Sequence, residues 1–140
     1  MDEALILAER DLAGDPSALP PVGVLMNAIV DTGTTLNYFP RQLADFINTR
    51  VCSTPAKYSE LYSVYTVPCS AVCRSVGIRI GTGIIVIDAQ DMKLRHGSEI
   101  CYTGVTAASS VNILGGTFLK NTVVAFDQGA AEIRFAQKKY

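Results

Sequence analysis

One aspartate stands where a carboxylate could be fixed for chemistry. Asp31 follows the apolar run Ala28–Val30 and precedes Thr32, Gly33 and Thr34. A carboxylate acts as a general base only when it is held in place and its pKa is tuned. Gly33 lets the backbone fold tightly enough to aim amides at the carboxylate, and the Thr34 hydroxyl is near enough to donate to it. The pattern therefore predicts a charged carboxylate fixed at the end of a strand.

The same tripeptide has an ordinary interpretation, because Asp-x-Gly is a common way to end a strand. On its own the match is a weak signal. The chain carries it once, since none of its seven other aspartates is followed by Thr or Ser and then Gly. A reaction that needs two such aspartates would therefore have only half of its active site in this chain.

Short strands are predicted to position this aspartate. Val22–Val30 is predicted to be a strand leading into Asp31, and Pro40 is predicted to begin a helix with Leu43, Phe46 and Ile47 on one face, ending near residues 48–50. Residues 1–21 are predicted to be a short apolar segment and a loop, and 51–60 a loop. Further strands are predicted at 61–67, 76–80, 84–87 and 100–105, a short helix at 118–121, and a closing hairpin of 123–126 and 132–136. This order predicts an all-β domain with one or two short helices.

Composition narrows the classes of function. The 140 residues suffice for one domain with a core, and 49% hydrophobic against 18% charged residues argues against disorder. A net charge of −1 without a basic cluster argues against a nucleic-acid partner, and no apolar run reaches membrane-spanning length, so no membrane is expected. The first residues lack the pattern of a signal peptide, so we expect an intracellular chain or a start that is not the natural one.

Four cysteines, an even number, fit two disulfides and an oxidising compartment; the alternative is a set of buried free thiols. They are Cys52, Cys69, Cys73 and Cys101. Their spacing, with His96 as the single histidine, argues against a structural zinc site. No metal and no cofactor is expected.

With these motifs in order, the chain resembles the C-terminal lobe of a pepsin-like (family A1) aspartic protease, most like the fungal members. The motifs are Ala28–Thr35 with the Pro40 helix, Val67–Cys69, Cys101, Ile113–Asn121, and the closing segments Val124–Asp127 and Glu132–Ala136. The resemblance covers about residues 22–137. It implies one lobe of the bilobal pepsin-like fold at 22–140, preceded by a poorly matched segment at 1–21.

The resemblance also implies roles for single residues. Asp31 would be one of two catalytic aspartates, Thr32 would join the hydrogen bonds between the two active-site loops, and Gly33 would support the loop. Thr34 would bond the outer carboxylate oxygen and, with Thr35, face the substrate backbone.

Further positions follow from the same resemblance. Ile113 would lie by the primed side of the cleft, with core packing as the alternative. Cys69 and Cys101 would form the disulfide of the lobe. Cys52 and Cys73 have no such counterpart, and either form a second bridge or stay free. Gly116 departs from the family, which usually has Asp there.

The implied activity is that of an aspartic endopeptidase, in which two carboxylates share a proton and activate water at acidic pH. Because the second aspartate and the flap are absent from this sequence, the isolated chain is expected to be inactive. The implied partners are a peptide or protein substrate and the missing N-terminal lobe or a second copy. The implied location is extracellular, vacuolar or associated with the cell wall.

Two other hypotheses stay open at this stage. One is a homodimeric, retropepsin-like protease that pairs two copies of Asp31, although no tyrosine lies in a flap-like Tyr-Gly turn. The six tyrosines are predicted to be strand residues. The other is a binding module that keeps the lobe fold without catalysis.

Overall fold

The computed structural model describes residues 27–80 and 83–139, together with the backbone of residues 5–7. Within these residues the chain forms thirteen short strands and two α-helices, which confirms the all-β class with short helices. The strands are β1 (Leu5–Leu7), β2 (Ala28–Val30), β3 (Asn37–Phe39), β4 (Lys57–Ser59), β5 (Val64–Pro68), β6 (Val76–Ile80), β7 (Gly83–Ile87), β8 (Lys93–Arg95), β9 (Ile100–Thr103), β10 (Val105–Ala107), β11 (Asn112–Leu114), β12 (Thr122–Asp127) and β13 (Glu132–Gln137). The helices are α1 (Arg41–Asn48) and α2 (Gly116–Leu119), and Ala89–Met92 forms a 3-10 turn.

Four sheets make up the described fold, in the orders β1-β6-β7, β10-β3-β11-β2, β4-β5-β9-β8 and β12-β13. The second sheet carries the aspartate. In it β11 lies between β2 and β3, parallel to β2 and antiparallel to β3. The chain therefore leaves β2, passes across the end of β11 and returns as β3, and residues 31–36 form that crossing.

Helix α1 packs beside this sheet because its sequence places apolar groups on one side. Pro40 precedes the first helical residue with a φ of −51°, which suits a helix start. Leu43, Ala44 and Ile47 are buried, as the predicted apolar face requires, whereas Phe46 is only half-buried. The helix ends at Asn48, within the predicted range.

Asn48 is a buried polar residue with its hydrogen bonds filled. Its Nδ2 donates to the carbonyl oxygens of Ala44 at 2.9 Å and Val105 at 3.1 Å, and its Oδ1 accepts from the Thr103 hydroxyl at 2.5 Å. Since a buried amide is costly unless paired, these bonds fix α1 against β9 and β10. The fully buried core around them includes Phe39, Leu43, Ile47, Ile87, Met92 and Phe118.

Several predicted boundaries differ from the structure for local reasons. The strand expected at 61–67 begins at Val64, because residues 60–63 turn and Ser63 has a φ of 56°. The strand expected at 100–105 is interrupted at Gly104, whose N–H bonds the Met92 carbonyl at 3.1 Å. The short helix begins at Gly116 rather than Phe118. Both predicted hairpins, β6–β7 and β12–β13, are confirmed.

Several three-residue strands were not predicted, among them β3, β4 and β8. Strand β3 follows the aspartate loop, β4 lies within the expected loop at 51–60, and β8 follows the 3-10 turn. Segments this short carry too little alternation to be recognised. The predictions for 1–21 concern residues that, apart from the β1 backbone, lie outside the described ones, as do residues 22–26 of the first predicted strand and Gly81–Thr82 of the first hairpin turn.

All four cysteines form disulfides. Cys69 is bonded to Cys101, the pair that the resemblance implies, and Cys52 is bonded to Cys73, which decides between the two alternatives left open. Beside the first bridge, Lys93 Nζ donates to the carbonyl oxygens of Cys69 and Ala71, at 2.7 Å each. Among the described helices, none has both the length and the apolar character needed to cross a bilayer.

Candidate active site

Asp31 is held by its own loop. Its carboxylate accepts a hydrogen bond from the Gly33 amide at 2.9 Å through Oδ1 and one from the Thr34 hydroxyl at 2.6 Å through Oδ2. The Asp31 amide donates to the Leu114 carbonyl at 3.1 Å. Backbone and carboxylate are therefore both fixed, while the side chain stays partly open to solvent.

These hydrogen bonds set the charge of the carboxylate. The Thr34 hydroxyl has the larger effect and the Gly33 amide the smaller, and together they lower the pKa of Asp31 below its ordinary value. Burial opposes them but is the weakest of the three causes. These hydrogen bonds therefore favour the charged form of the carboxylate, the form that a general base needs.

The residues that follow β11 hold the aspartate loop in place through two backbone hydrogen bonds. The Gly116 amide donates to the Thr34 carbonyl at 2.6 Å, and the Thr117 amide donates to the Thr35 carbonyl at 2.9 Å. A Cβ atom on Gly115 would lie 2.2 Å from the Leu36 carbonyl oxygen, closer than real Cβ atoms approach backbone. Glycine is therefore required at 115 for this close crossing of two backbone segments.

Asn37 supports the same crossing and was missed by the sequence analysis. This buried side chain accepts a hydrogen bond from the Gly115 amide at 2.9 Å through Oδ1. Its signal was available, because an amide between Leu36 and Tyr38 breaks an otherwise apolar strand. Its Nδ2 is buried and finds no hydrogen-bond partner in the part of the chain that the structure describes.

The other predicted site residues differ in their exposure to solvent. Thr32 and Thr35 are exposed, and Thr34 is half-buried against the carboxylate. Ile113 is half-buried in β11, opposite Ile29 and Tyr38, rather than on the wall of the cleft described next.

A cleft of about 700 Å³ opens beside the loop. Gly33, Thr34 and Thr35 form its inner wall. Its outer wall comes from the β4–β5 turn, the strands β5 and β9 and the β8–β9 turn, and includes Tyr62, Val64, Thr66, His96, Ile100 and Tyr102. The cleft thus adjoins the aspartate loop through Gly33 and Thr34, the two residues that donate hydrogen bonds to the Asp31 carboxylate.

Three aromatic rings of the outer wall stack edge to face. The His96 ring lies 5.3 Å from the Tyr62 ring and 5.7 Å from the Tyr102 ring, between centroids. The prediction that the tyrosines are strand residues is wrong for Tyr62, which lies in the β4–β5 turn because the strand starts late. The sequence analysis did not select His96 and Tyr62 as site residues, since only the fold brings them beside Thr34.

Within the described part of the chain, no acidic side chain interacts with Asp31. Among the described residues, the hydrogen bonds to its carboxylate come from Gly33 and Thr34 alone. Within the same residues, no group of three or more His, Cys, Asp or Glu side chains could hold a metal ion. The described residues thus provide one carboxylate at this loop.

Several large apolar side chains outside the aspartate loop are exposed to solvent. Ile29, two residues before Asp31, is 52% exposed. On the terminal hairpin, Phe126 and Ile133 stand directly opposite each other and are 57% and 47% exposed. Phe135, on the same face of the hairpin, packs against Phe118 in the core. The core-facing side of this hairpin therefore continues past the core as an uncovered apolar surface.

Thr34→Val is expected to raise the pKa of Asp31 toward its ordinary value, because it removes the larger of the two causes that lower it. A carboxylate with a lowered pKa in the folded state stabilises the protein above its unfolded pKa, and this contribution disappears as pH falls through the folded pKa. The variant should therefore lose less stability on acidification than the parent chain. A titration of the Asp31 carboxyl carbon by NMR measures the shift directly.

Thr35→Val is the matched control, since the Thr35 hydroxyl makes no hydrogen bond to Asp31. Its Asp31 pKa should equal that of the parent. Equal pKa values in the Thr34→Val variant and the parent would contradict the assigned hydrogen bond.

Known proteins match this arrangement in sequence and in fold. The family model for eukaryotic aspartyl proteases matches residues 23–138. The “Probable aspartic-type endopeptidase” of Aspergillus fumigatus is 39% identical over 128 residues, which cover 85% of this chain and 29% of that protein. “Secreted aspartic protease 8” of Candida albicans is 31% identical over 140 residues, covering 96% of this chain and 33% of that protein.

A solved structure supports the fold independently. The crystal structure of the aspartic proteinase from Irpex lacteus superposes with a TM-score of 0.64 at 19% sequence identity, over 79% of this chain and 36% of that one. This chain therefore spans about a third or less of the length of the relatives that it matches.

Proposed function

Since this chain belongs to the eukaryotic aspartyl protease family, we propose that it acts as the C-terminal catalytic lobe of an aspartic endopeptidase, with Asp31 as one of two catalytic aspartates. The single observation that carries the proposal is the fixed carboxylate of Asp31, which accepts hydrogen bonds from Gly33 and Thr34, two residues that line the cleft. A carboxylate held this way is suited to general-base chemistry.

In the proposed reaction a second aspartate, from the partner lobe, comes close to Asp31. Two carboxylates at that distance share one proton, because like charges so near cannot both ionise. The charged member takes a proton from a water molecule, which attacks the peptide carbonyl. The protonated member donates a hydrogen bond to the carbonyl oxygen and stabilises the negative charge that develops there.

The remaining residues of the loop take supporting roles in this proposal. Thr32, exposed beyond the carboxylate, would bond the opposite loop of the partner lobe. Thr34 and Thr35 line the cleft and would face the substrate backbone. Ile113 would lie toward the primed side, where its half-buried side chain is still partly accessible.

The apolar surfaces support a partner lobe. Ile29 lies beside the aspartate loop, and Phe126 with Ile133 extends the core face of the terminal hairpin. Large side chains exposed in contiguous groups mark interaction surfaces more often than scattered ones do. A lobe that covered Ile29 would also bring its own loop next to Asp31. Without it, the isolated 140-residue chain is expected to be inactive.

The proposed location is outside the cell or in a vacuole. Two disulfides persist in oxidising compartments and are rare in the cytosol. One relative is named as a secreted protease.

A chimaera tests the proposed activity. The stretch of the Aspergillus fumigatus relative that this chain matches is replaced by residues 23–138 of this chain, and peptide cleavage is measured at acidic pH with and without pepstatin. We expect pepstatin-sensitive cleavage by the chimaera and none by the isolated chain. A folded chimaera that does not cleave peptides would contradict the proposal. Cleavage by the isolated chain, together with a dimer in sedimentation, would favour the homodimeric alternative instead.

A further inference from the structure

The outer wall of the cleft contains a single side chain that can become cationic. Of the described residues that line the cleft, His96 is the one histidine, and none is Asp, Glu, Lys or Arg. Histidine is the side chain that acquires a positive charge between neutral and mildly acidic pH. The cleft therefore gains charge of one sign under the acidic conditions in which the proposed protease works.

The surroundings of His96 are aromatic. The Tyr62 and Tyr102 rings lie in edge contact with the imidazole, at 5.3 and 5.7 Å between centroids. Within the described residues no carboxylate forms an ion pair with His96. Arg95 and Glu99 flank His96 along the chain, and Glu60 lies in the β4–β5 turn with Tyr62. All three residues are exposed, and none lines the cleft.

We propose that His96 is a specificity-determining residue that favours substrates with an acidic side chain in this cleft. The inference rests on the proposed endopeptidase function. Its physical basis is that a substrate carboxylate would meet a cation on a wall that contains no Asp or Glu among its described lining residues, whereas a substrate lysine or arginine would meet like charge. The preference requires a negative charge on the substrate and a positive charge on the wall, so it is sought at mildly acidic pH, where glutamate and histidine side chains in general both carry charge.

The size of the effect follows from the exposure of His96. Ion pairs open to solvent contribute about 0.2–1 kcal/mol, which corresponds to a preference of about 1.5- to 5-fold. The preference should fade as pH rises toward 8 and as salt screens the pair. A preference for aromatic substrate side chains that stack on Tyr62 would depend on neither pH nor salt.

The test compares glutamate with glutamine in otherwise identical peptides, placed in turn at each position around the cleaved bond. In the chimaera at pH 5, one position should show a ratio of kcat/KM of about 1.5- to 5-fold in favour of glutamate. His96→Gln should bring the ratio at that position to about one. His96→Lys should keep the ratio and extend it to pH 7, because lysine stays charged there.

Arg95→Gln is the matched control, since it removes an exposed cation next to His96 that lies outside the cleft. Its ratio should equal that of the parent chimaera. A ratio that survives in His96→Gln, or the absence of any position that prefers glutamate, would overturn the inference.

A binding measurement separates this inference from the proposed activity. If the chimaera cleaves nothing, the imidazole resonances of His96 are followed in the 140-residue chain at pH 5 while the same glutamate or glutamine peptides are added. A shift caused by the glutamate peptides alone supports the inference even though the proposed activity has failed. Equal shifts, or no shift with either peptide, overturn it.

Discussion

Asp31→Asn is expected to lower kcat/KM of the chimaera by about 10²- to 10⁴-fold, the range that a positioned acid–base group contributes. The substitution keeps the shape of the side chain and leaves an oxygen that can accept the Thr34 hydroxyl bond of 2.6 Å. It removes the negative charge, so the pair of carboxylates can no longer share a proton. Peptide cleavage at saturating and subsaturating substrate measures kcat and KM separately.

The fold should survive this change, which makes the loss of activity interpretable. Asp127→Asn is the matched control, because Asp127 ends strand β12 beside the turn of the terminal hairpin, where its carboxylate accepts a hydrogen bond from the Ala130 amide. That variant should retain the parent kcat/KM. More than about a tenth of the parent activity in a folded Asp31→Asn chimaera would rule out Asp31 as a catalytic group.

Gly115→Ala is expected to destabilise the 140-residue chain by about 3–5 kcal/mol, at the upper end of what one substitution costs. The new Cβ would lie 2.2 Å from the Leu36 carbonyl oxygen and 2.7 Å from that of Thr34. Both contacts are with backbone atoms, which cannot rotate away as a side chain would. The aspartate loop must therefore move off the end of β11, and urea unfolding with intact disulfides measures the cost.

Gly129→Ala provides the comparison. Gly129 lies in an exposed turn, and the nearest atom to an added Cβ is the Asp127 Oδ1 at 3.5 Å, an ordinary van der Waals distance. Its change in the free energy of unfolding should stay within about 0.5 kcal/mol, as for other surface substitutions. A Gly115→Ala variant as stable as this one would show that the backbone crossing is looser than described.

The sequence was sufficient to predict those parts of the fold that depend on residues close together in the chain. The Asp31 turn, the helix after Pro40 and the two hairpins are encoded in neighbouring residues, through glycine at turns, proline at a helix start and alternating apolar positions. The Cys69–Cys101 bridge followed from a resemblance spread over the whole domain and was not visible in either cysteine alone.

The outer wall of the cleft could not be predicted in the same way. Tyr62 and His96 belong to different hairpins, and they meet only because β5 and β8 both flank β9. Asn37 holds Gly115 through a bond between distant segments. Contacts of this kind are fixed by sheet order, which one sequence does not specify through local propensity.

The position of β11 between β2 and β3 has a consequence for the order of folding. The hydrogen bond between Asn37 and Gly115 joins the aspartate loop to the residues after β11. Its two partners lie 78 residues apart in the chain. Contacts across such a separation form late, because closing the intervening loop costs entropy before any contact repays it. During synthesis, the Asp31 turn therefore emerges long before the strand that fixes it. The carboxylate reaches its working geometry only near the end of folding, so a nascent or partly folded chain holds the residue but not yet the site.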